Sequence, residues 1–246
     1  MVFCTGGRVT EPVSTGERIR EMFSGLAPEY DRFNAWASLG LHRFWRRALA
    51  GQIHAGSRVL DLGAGTGALG AEILSRWGKG SGGGVTAVDF SLEMLTRGRR
   101  NNPPDDRLSA VQARGESLPF AAGRFDFVVS AFVLRNLQRA GVLEAVFREA
   151  YRVLRPSGRL IFLDLRSPEG TLMKWGHRIY LNTMVPAVGR VLFRDRWPGD
   201  YLKDTIRELL SEDRIRERFE SAGFGQVRGQ PLWGGVAGLF DGEKAC

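Results

Sequence analysis

An acidic residue followed by three glycines is the strongest chemical signal in the chain. Asp61 precedes Gly63, Gly65 and Gly67 in the run Asp61-Leu-Gly-Ala-Gly-Thr-Gly67. Glycines at this spacing let the backbone turn sharply after a strand and approach a ligand closely. Asp89 ends the next predicted strand, where a carboxylate accepts hydrogen bonds from both hydroxyls of an adenosine ribose. Together the two features predict a nucleoside site at the ends of two neighbouring strands.

Two nucleoside ligands are compatible with this pattern. Gly63, Gly65 and Ala68 also satisfy the Gly-x-Gly-x-x-Ala spacing of dinucleotide sites. The carboxylate of Asp61 would repel a pyrophosphate, whereas it would attract the ammonium group of S-adenosylmethionine. The chain also ends in a predicted strand pair, where a dehydrogenase would continue into a catalytic domain. We therefore expect S-adenosylmethionine, with a dinucleotide as the second interpretation and a glycine turn without a ligand as the weakest.

Strands that alternate with helices are expected to position these residues. Buried strands are predicted at 58–62, 85–90, 108–113, 125–132 and 159–165, with a closing pair near 226–232 and 236–240. Apolar residues at helical spacing indicate a helical lead at 14–50 and a helical insertion at 171–210. Ser14, Ser91 and Ser211 are placed to cap helices. We predict one domain over residues 1–246, built on a mostly parallel sheet with an antiparallel pair at one edge.

Composition argues against several classes of protein. The 246 residues carry a formal net charge of +8, but the arginines are dispersed and do not alternate with aromatic residues, so we expect no nucleic-acid partner. No stretch approaches the roughly 20 apolar residues of a membrane span, and the N-terminus lacks the pattern of a secretory signal. Cys4 and Cys246 suit a reducing compartment, and we expect a cytoplasmic protein. His42, His54 and His177 are too scattered to indicate a metal site.

A proline-containing motif could be mistaken for a catalytic one. Asn102-Pro-Pro-Asp105 resembles the Asn/Asp-Pro-Pro-aromatic motif of methyltransferases that act on amino groups. That motif follows the fourth strand, whereas this one precedes the third strand and ends in an aspartate. We interpret it as a turn.

Segments on both sides of the glycine loop carry more specific patterns. The first reads Phe23-Ser-Gly-Leu-Ala-Pro-Glu-Tyr-Asp-Arg-Phe-Asn34 and continues as Ser38-Leu-Gly-Leu-His-Arg-Phe-Trp45. The second reads Phe132-Val-Leu-Arg-Asn136, followed by Phe147-Arg-Glu-Ala-Tyr-Arg-Val-Leu-Arg-Pro-Ser-Gly158. The third comprises Tyr201-Leu-Lys-Asp-Thr-Ile206, Ala222-Gly-Phe224 and Gly234-Gly-Val236. Through these segments the chain resembles the ubiquinone/menaquinone biosynthesis C-methyltransferases over most of its length.

This resemblance implies a fold, a reaction and a set of site residues. The fold is an α/β, Rossmann-like class I methyltransferase with a seven-stranded, mostly parallel sheet, an antiparallel C-terminal strand pair and helical lid insertions. The reaction is carbon methylation of a prenylated hydroquinone by S-adenosylmethionine, most closely demethylmenaquinol to menaquinol or its ubiquinone-pathway equivalent. The implied donor contacts are the loop residues Asp61, Gly63, Gly65, Thr66 and Gly67, then Asp89, Phe90, Arg114 and Gly115. The implied catalytic residues are Tyr30, near the methionine end, and Arg135 and Asn136, which face the substrate.

Carbon methylation assigns chemistry to two of these residues. A cationic Arg135 would stabilise the phenolate whose formation raises electron density on the adjacent ring carbon, and Asn136 would orient the ring oxygen. A surface salt bridge is the alternative for Arg135, and structural packing is the expectation for His42. Ala131 and Val133 stand where the family has Ser and Gly. We expect these two substitutions to narrow the substrate pocket.

A prenylated quinol is too hydrophobic to diffuse freely in water. We therefore expect the lead helices and the 171–210 segment to form a lid over an apolar pocket, in peripheral contact with anionic lipid at the inner face of the membrane. Packing on the core or in a homodimer interface is the alternative for the apolar groups of that segment. Two other functions stay open: methylation of another small aromatic molecule, and donor binding without catalysis in a quinone-synthesis complex.

Overall fold

A computed structural model describes residues 15–78, 80–166, 168, 170–194, 197, 199 and 211–245. Cys4, Cys246, the predicted cap at Ser14 and the segment Tyr201–Ile206 lie outside this range. The described strands are β1 Arg58–Leu62, β2 Gly84–Asp89, β3 Leu108–Gln112, β4 Phe125–Ala131, β5 Leu154–Leu165, β6 Phe224–Leu232 and β7 Ala237–Lys244.

These seven strands form one sheet in the order β3-β2-β1-β4-β5-β7-β6. The pairs of β1 with β2 and β4, of β2 with β3, and of β4 with β5 are parallel. Strand β7 runs antiparallel to both β5 and β6. The predicted fold class, with its antiparallel C-terminal pair, is therefore confirmed. In such a sheet, the carboxyl ends of β1, β2 and β4 meet at one edge.

Helices cover both faces of the sheet and the edge where its parallel strands end. Ser91 caps the helix that follows β2 by accepting a hydrogen bond from the backbone N–H of Met94, and Ser211 caps a later helix in the same way. The helices are α1 Thr15–Leu26, α2 Tyr30–Ala37, α3 Leu41–Ala50, α4 Ala68–Trp77, α5 Leu92–Asn101, α6 Leu134–Arg139, α7 Leu143–Val153, α8 Thr171–Phe193 and α9 Glu212–Ser221.

The short helix α6 is the main departure from the predicted elements. Strand four was expected to span residues 125–132 and so to reach Phe132. The structure ends β4 at Ala131, and Phe132 then adopts a left-handed backbone with a φ of 63°. This turn redirects the chain into α6, which carries Arg135 and Asn136. A helix of six residues is too short to leave a clear hydrophobic period in the sequence.

Two groups of buried hydrophobic side chains fix the sheet between its helices. One includes Phe147, Phe162 and Phe219, whose rings stack or meet edge to face at centroid distances of 5.0 to 6.2 Å. The other includes Trp45 and Leu49 of α3 and therefore anchors the lead helices to the core. Packed aromatic groups of this kind hold the strand ends rigidly, so the residues that follow the strands are positioned precisely enough to form a site.

Candidate active site

A cavity of about 370 Å³ lies where β1, β2 and β4 end. We call it the donor cavity. The sequence-predicted residues that line it are Tyr30, Asp61, Gly63, Gly65, Thr66, Asp89, Phe90, Arg114, Gly115 and Asn136. Gly67 is not among the lining residues, because it directly precedes α4 in a left-handed conformation with a φ of 69°. Of the residues predicted to contact the donor, Gly67 therefore shapes the turn of the loop and does not line the cavity.

The carboxylate of Asp89 ties the glycine loop to the end of β2. Its Oδ2 accepts a hydrogen bond of 2.8 Å from the N–H of Gly65, and its Oδ1 accepts one of 2.9 Å from the N–H of Ser91. Burial raises the pKa of Asp89, and these backbone donors oppose that rise. Because each carboxylate oxygen has two lone pairs, Asp89 can still accept hydrogen bonds from a ligand in the cavity.

Asp61 presents a buried carboxylate to the same cavity. The residue is 1% exposed, and its Oδ2 accepts a hydrogen bond of 3.1 Å from the N–H of Gly70. Among the described residues, none donates a hydrogen bond to its other oxygen. Burial is the main cause that raises the pKa of Asp61 to about 7; Asp89 raises it further, whereas Arg46 opposes the rise. A buried, incompletely bonded carboxylate suits a cationic ligand group such as an ammonium.

The outer side of the glycine loop is held by polar contacts that no local sequence motif indicates. Thr66 donates from Oγ1 to Oδ1 of Asp31 on α2 at 2.8 Å, and its carbonyl accepts from Nδ2 of Asn102 at 2.7 Å. Gly98 permits this approach, because a Cβ there would lie 2.6 Å from the Thr66 carbonyl oxygen. The Asn102 motif is a connection between α5 and β3, as expected, but its first residue also anchors the loop.

A second cavity, of about 740 Å³, adjoins the first. We call it the apolar cavity, since most of its lining comes from hydrophobic side chains of α1, α2, α3 and α8. The hydroxyl of Tyr180 on α8 donates to the carbonyl of Ala37 on α2 at 2.6 Å and so joins two of its walls. The side chains that line both cavities are Phe23, Tyr30, Asn34, Phe132 and Asn136. A molecule in one cavity would therefore contact a molecule in the other.

Among the described residues that line the apolar cavity, Arg135 is the only arginine or lysine. Its side chain is 13% exposed, and its Nε lies 3.3 Å from Oδ1 of Asp164, whose side chain is 3% exposed. The other oxygen of Asp164 accepts from the N–H of Leu134 at 3.0 Å. Burial raises the pKa of Asp164, whereas the guanidinium opposes that rise. The salt bridge considered from the sequence is therefore present, but its expected surface position is wrong, because the partner is a buried strand residue.

Tyr30 lies between the two cavities at the start of α2. Its ring meets Phe23 edge to face at a centroid distance of 5.7 Å. Burial raises the pKa of Tyr30, and a hydrogen bond with Asn34 together with the charge of Arg135 opposes the rise. The phenol therefore stays protonated near neutral pH and acts as a neutral hydrogen-bonding group.

Ala131 and Val133, two residues that differ from the family pattern, lie in a different cavity from the one expected. Ala131 and Val133 were predicted to narrow the substrate pocket, but both line the donor cavity. Val133 packs against the glycine loop, where a Cβ on Gly63 would lie 2.8 Å from Val133 Cγ2. The prediction is wrong because the turn at Phe132 directs its two neighbours toward the loop.

In the described part of the chain, no group of three or more His, Cys, Asp or Glu residues is arranged to hold a metal ion. None of the described helices is long and apolar enough to cross a membrane.

Comparison with known sequences gives a consistent result. The sequence model of the ubiE/COQ5 methyltransferase family matches residues 12–244. The ubiquinone/menaquinone biosynthesis C-methyltransferase UbiE of Geotalea uraniireducens is 35% identical over 235 residues, which cover 93% of this chain and 97% of that protein. The protein of the same description from Shewanella pealeana is 33% identical over 244 residues, covering 97% of this chain and 95% of the relative.

Solved structures agree at the level of the fold. A SAM-dependent methyltransferase from Aquifex aeolicus superposes with a TM-score of 0.58 at 20% identity, covering 80% of this chain and 88% of that chain. A SAM-dependent methyltransferase from Thermotoga maritima, described as a possible histamine N-methyltransferase, gives a TM-score of 0.61 at 16% identity, covering 91% and 99% of the two chains.

Proposed function

Because the chain belongs to the ubiE/COQ5 methyltransferase family, we propose that it methylates a ring carbon of a prenylated hydroquinone. It is an S-adenosylmethionine-dependent methyltransferase. The substrate that we propose is demethylmenaquinol, converted to menaquinol, or the equivalent intermediate of the ubiquinone pathway. The observation that carries this proposal is the boundary shared by the donor cavity, which contains the buried carboxylates of Asp61 and Asp89, and a larger apolar cavity.

The donor cavity has the groups that S-adenosylmethionine requires. Asp89 would accept hydrogen bonds from the ribose hydroxyls, and the incompletely bonded carboxylate of Asp61 would bind the ammonium group. Phe90 and the pair Arg114-Gly115 would border the adenine. Bound there, S-adenosylmethionine supplies an electrophilic methyl group on a sulfonium. The chain's own task is to hold the ring carbon in line with that methyl group.

Arg135 and Asn136 would act on the ring oxygen of the acceptor. Loss of the hydroxyl proton to water increases electron density on the adjacent carbon, and a guanidinium in an apolar cavity stabilises the resulting phenolate strongly. After methyl transfer, the hydrogen on the methylated ring carbon would move as a proton to the ring oxygen and restore the hydroquinone, so that one proton is released for each methyl group transferred. Asp164 restrains the Nε side of the guanidinium, which leaves its remaining N–H groups for the substrate. Asn136, which lines both cavities, would orient the ring oxygen, and Tyr30 would close the boundary between them.

The outer surface of the lid supports contact with a membrane. Of the exposed large hydrophobic side chains, most lie on α2, α3 and α8, and Trp175 of α8 is 64% exposed. Helix α8 also carries Lys174, Arg178 and Arg190 and no acidic residue. We infer that this surface lies on the anionic inner face of the membrane and receives the prenylated quinol from the bilayer. A homodimer interface that buries the same surface is the alternative.

Quinones extracted from cells that lack this protein test the proposal. We expect mass spectrometry to show a quinone that lacks one ring methyl group, and wild-type protein to restore the methylated form. Arg135→Ala should not restore it, whereas Arg100→Ala, at an exposed position of α5, should. An unchanged quinone pool would contradict the proposed substrate. Full rescue by Arg135→Ala would instead show that methylation does not need Arg135 and would contradict its proposed catalytic role.

A further inference from the structure

The apolar cavity contains a histidine whose hydrogen bonding defines the role of each ring nitrogen. His42 lies on α3, is 6% exposed and lines the cavity. Its Nδ1 lies 2.7 Å from Oγ of Ser38. A buried polar group in a mostly hydrophobic lining costs free energy unless it forms a hydrogen bond. Whether Nε2, the second ring nitrogen of His42, donates or accepts a hydrogen bond therefore affects what the cavity binds.

The proton on the His42 ring can be assigned from Ser38. The Ser38 hydroxyl lies 2.6 Å from the carbonyl oxygen of Asn34, one helical turn earlier, and two oxygens this close require a proton between them. A serine hydroxyl has one proton, so Ser38 donates to Asn34 and must accept from His42. Nδ1 of His42 therefore carries the ring proton, and Nε2 carries a lone pair.

The surroundings of His42 keep this ring neutral. Burial is the largest cause that lowers its pKa to about 4, Arg46 and Arg43 lower it further, and Asp31 acts in the opposite direction. Among the residues that the structure describes, none donates a hydrogen bond to Nε2. The ring is thus an unpaired acceptor in the apolar cavity near neutral pH.

A neutral acceptor distinguishes the two redox states of a quinonoid ring. A hydroquinone hydroxyl has a proton to donate to Nε2, whereas a quinone carbonyl has only lone pairs and would leave Nε2 unsatisfied. Sites built to bind a hydroxyl reject analogues that lack it, because the buried partner is left unpaired. We propose that Nε2 of His42, fixed as an acceptor by Ser38, selects the reduced hydroquinone and rejects the oxidised quinone, an inference that rests on the proposed function.

The selection has a chemical reason. Methyl transfer to carbon needs an electron-rich ring, and a quinone is electron-poor. Bound quinone would therefore occupy the cavity without reacting. An acceptor at this position limits such unproductive binding by disfavouring the oxidised ring.

Equilibrium binding of a matched redox pair tests the inference without turnover. The probe is a naphthoquinone with methyl groups on both free carbons of its quinone ring, together with its hydroquinone, which has no carbon left to methylate. Affinities are measured anaerobically by calorimetry in the presence of S-adenosylhomocysteine. We expect wild-type protein to bind the hydroquinone about tenfold or more tightly than the quinone. His42→Phe should reduce that ratio to within about threefold, because no acceptor remains.

Ser38→Ala tests the assignment of the proton with the imidazole in place. Without Ser38 the ring can carry its proton on Nε2 and donate to a carbonyl, so the quinone should bind more tightly and the ratio should fall. His177→Phe is the matched control, because His177 lines the same cavity from α8; its ratio should stay near the wild-type value. Circular dichroism checks that each variant is folded.

Three outcomes would overturn the inference. Equal affinity of wild-type protein for the two redox states would do so, and so would a ratio that stays unchanged in both Ser38→Ala and His42→Phe. If wild-type protein bound neither redox state, the proposed quinonoid substrate itself would be wrong, and the role of His42 would be lost with it.

Discussion

Nε of Arg135 lies 3.3 Å from Oδ1 of Asp164, although the two residues are 29 positions apart and belong to different elements. Arg135 lies on α6 and Asp164 near the end of β5. The pairing gives a cation in an apolar cavity a buried counter-charge and a fixed orientation. It also means that neither charge can be removed alone without leaving the other uncompensated.

The first prediction concerns the stability of this pair. Asp164→Asn keeps the shape of the side chain but removes its charge, so Arg135 loses its counter-charge. We expect the free energy of unfolding in urea to fall by about 3 kcal/mol or more, and the double variant Arg135→Met with Asp164→Asn to recover much of the loss. If the loss of stability in the double variant equalled the sum of the losses in Arg135→Met alone and Asp164→Asn alone, the two residues would not be coupled.

The second prediction concerns donor binding. Asp89→Ala removes an acceptor for the ribose and also the contacts to Gly65 and Ser91 that hold the loop. We expect calorimetry to show S-adenosylmethionine binding weakened by roughly 1.5–3 kcal/mol, the range for hydrogen bonds to charged groups. Asp105→Ala, which removes a carboxylate paired with Arg107 outside the cavity, is the control and should bind normally. Unchanged affinity in Asp89→Ala would refute its assigned role.

The third prediction is a pH dependence that arises from Asp61. Burial raises its pKa to about 7, and only the ionised form attracts an ammonium group. Donor affinity should therefore rise with pH, with log Kd falling by about one per pH unit below 7. The unliganded protein should show the opposite trend: because the pKa of Asp61 in the folded protein exceeds its ordinary value of 3.8, the stability of the protein falls as pH rises toward 7.

Asp61→Asn provides the comparison for this pH dependence. Its donor affinity should be weaker and nearly independent of pH over the same range. Calorimetry between pH 5.5 and 7 measures both proteins in the range before the donor's own amino group loses its proton, at about 8. A pH profile shared by Asp61→Asn and wild-type protein would assign the titration to another group.

The sequence predicted the parts of the site that are local in the chain. The glycine loop directly follows β1, and Asp89 is the last residue of β2, so a short motif was enough to identify them. Asp164 was read as one residue of a buried strand, because its partner on α6 is brought near only by the pairing of β4 with β5. Asn102 was interpreted only as part of a turn, because its contact with Thr66 arises only when α5 packs against the glycine loop. His42 was expected to be a packing residue, since nothing in the sequence shows which protons its neighbours hold.

The fourth prediction concerns the membrane. Vesicle flotation should show binding to anionic but not to neutral vesicles, and added salt should weaken it. Lys174→Glu with Arg178→Glu on α8 should abolish binding, because each basic residue near the surface contributes about 1 kcal/mol. Arg99→Glu with Arg100→Glu on α5 makes the same change in net charge and should retain most of it. Equal loss in both variants would indicate attraction by overall charge alone.

The final measurement is methyl transfer by the purified protein to a short-chain demethylated hydroquinone, under anaerobic conditions, from S-adenosylmethionine with a labelled methyl group. Mass spectrometry and nuclear magnetic resonance locate the label. We predict that wild-type protein places it on a ring carbon, and that Arg135→Ala turns over about 100- to 1,000-fold more slowly while binding the donor nearly as well. Label on oxygen, or turnover by a folded Arg135→Ala within a few-fold of wild type, would contradict the account.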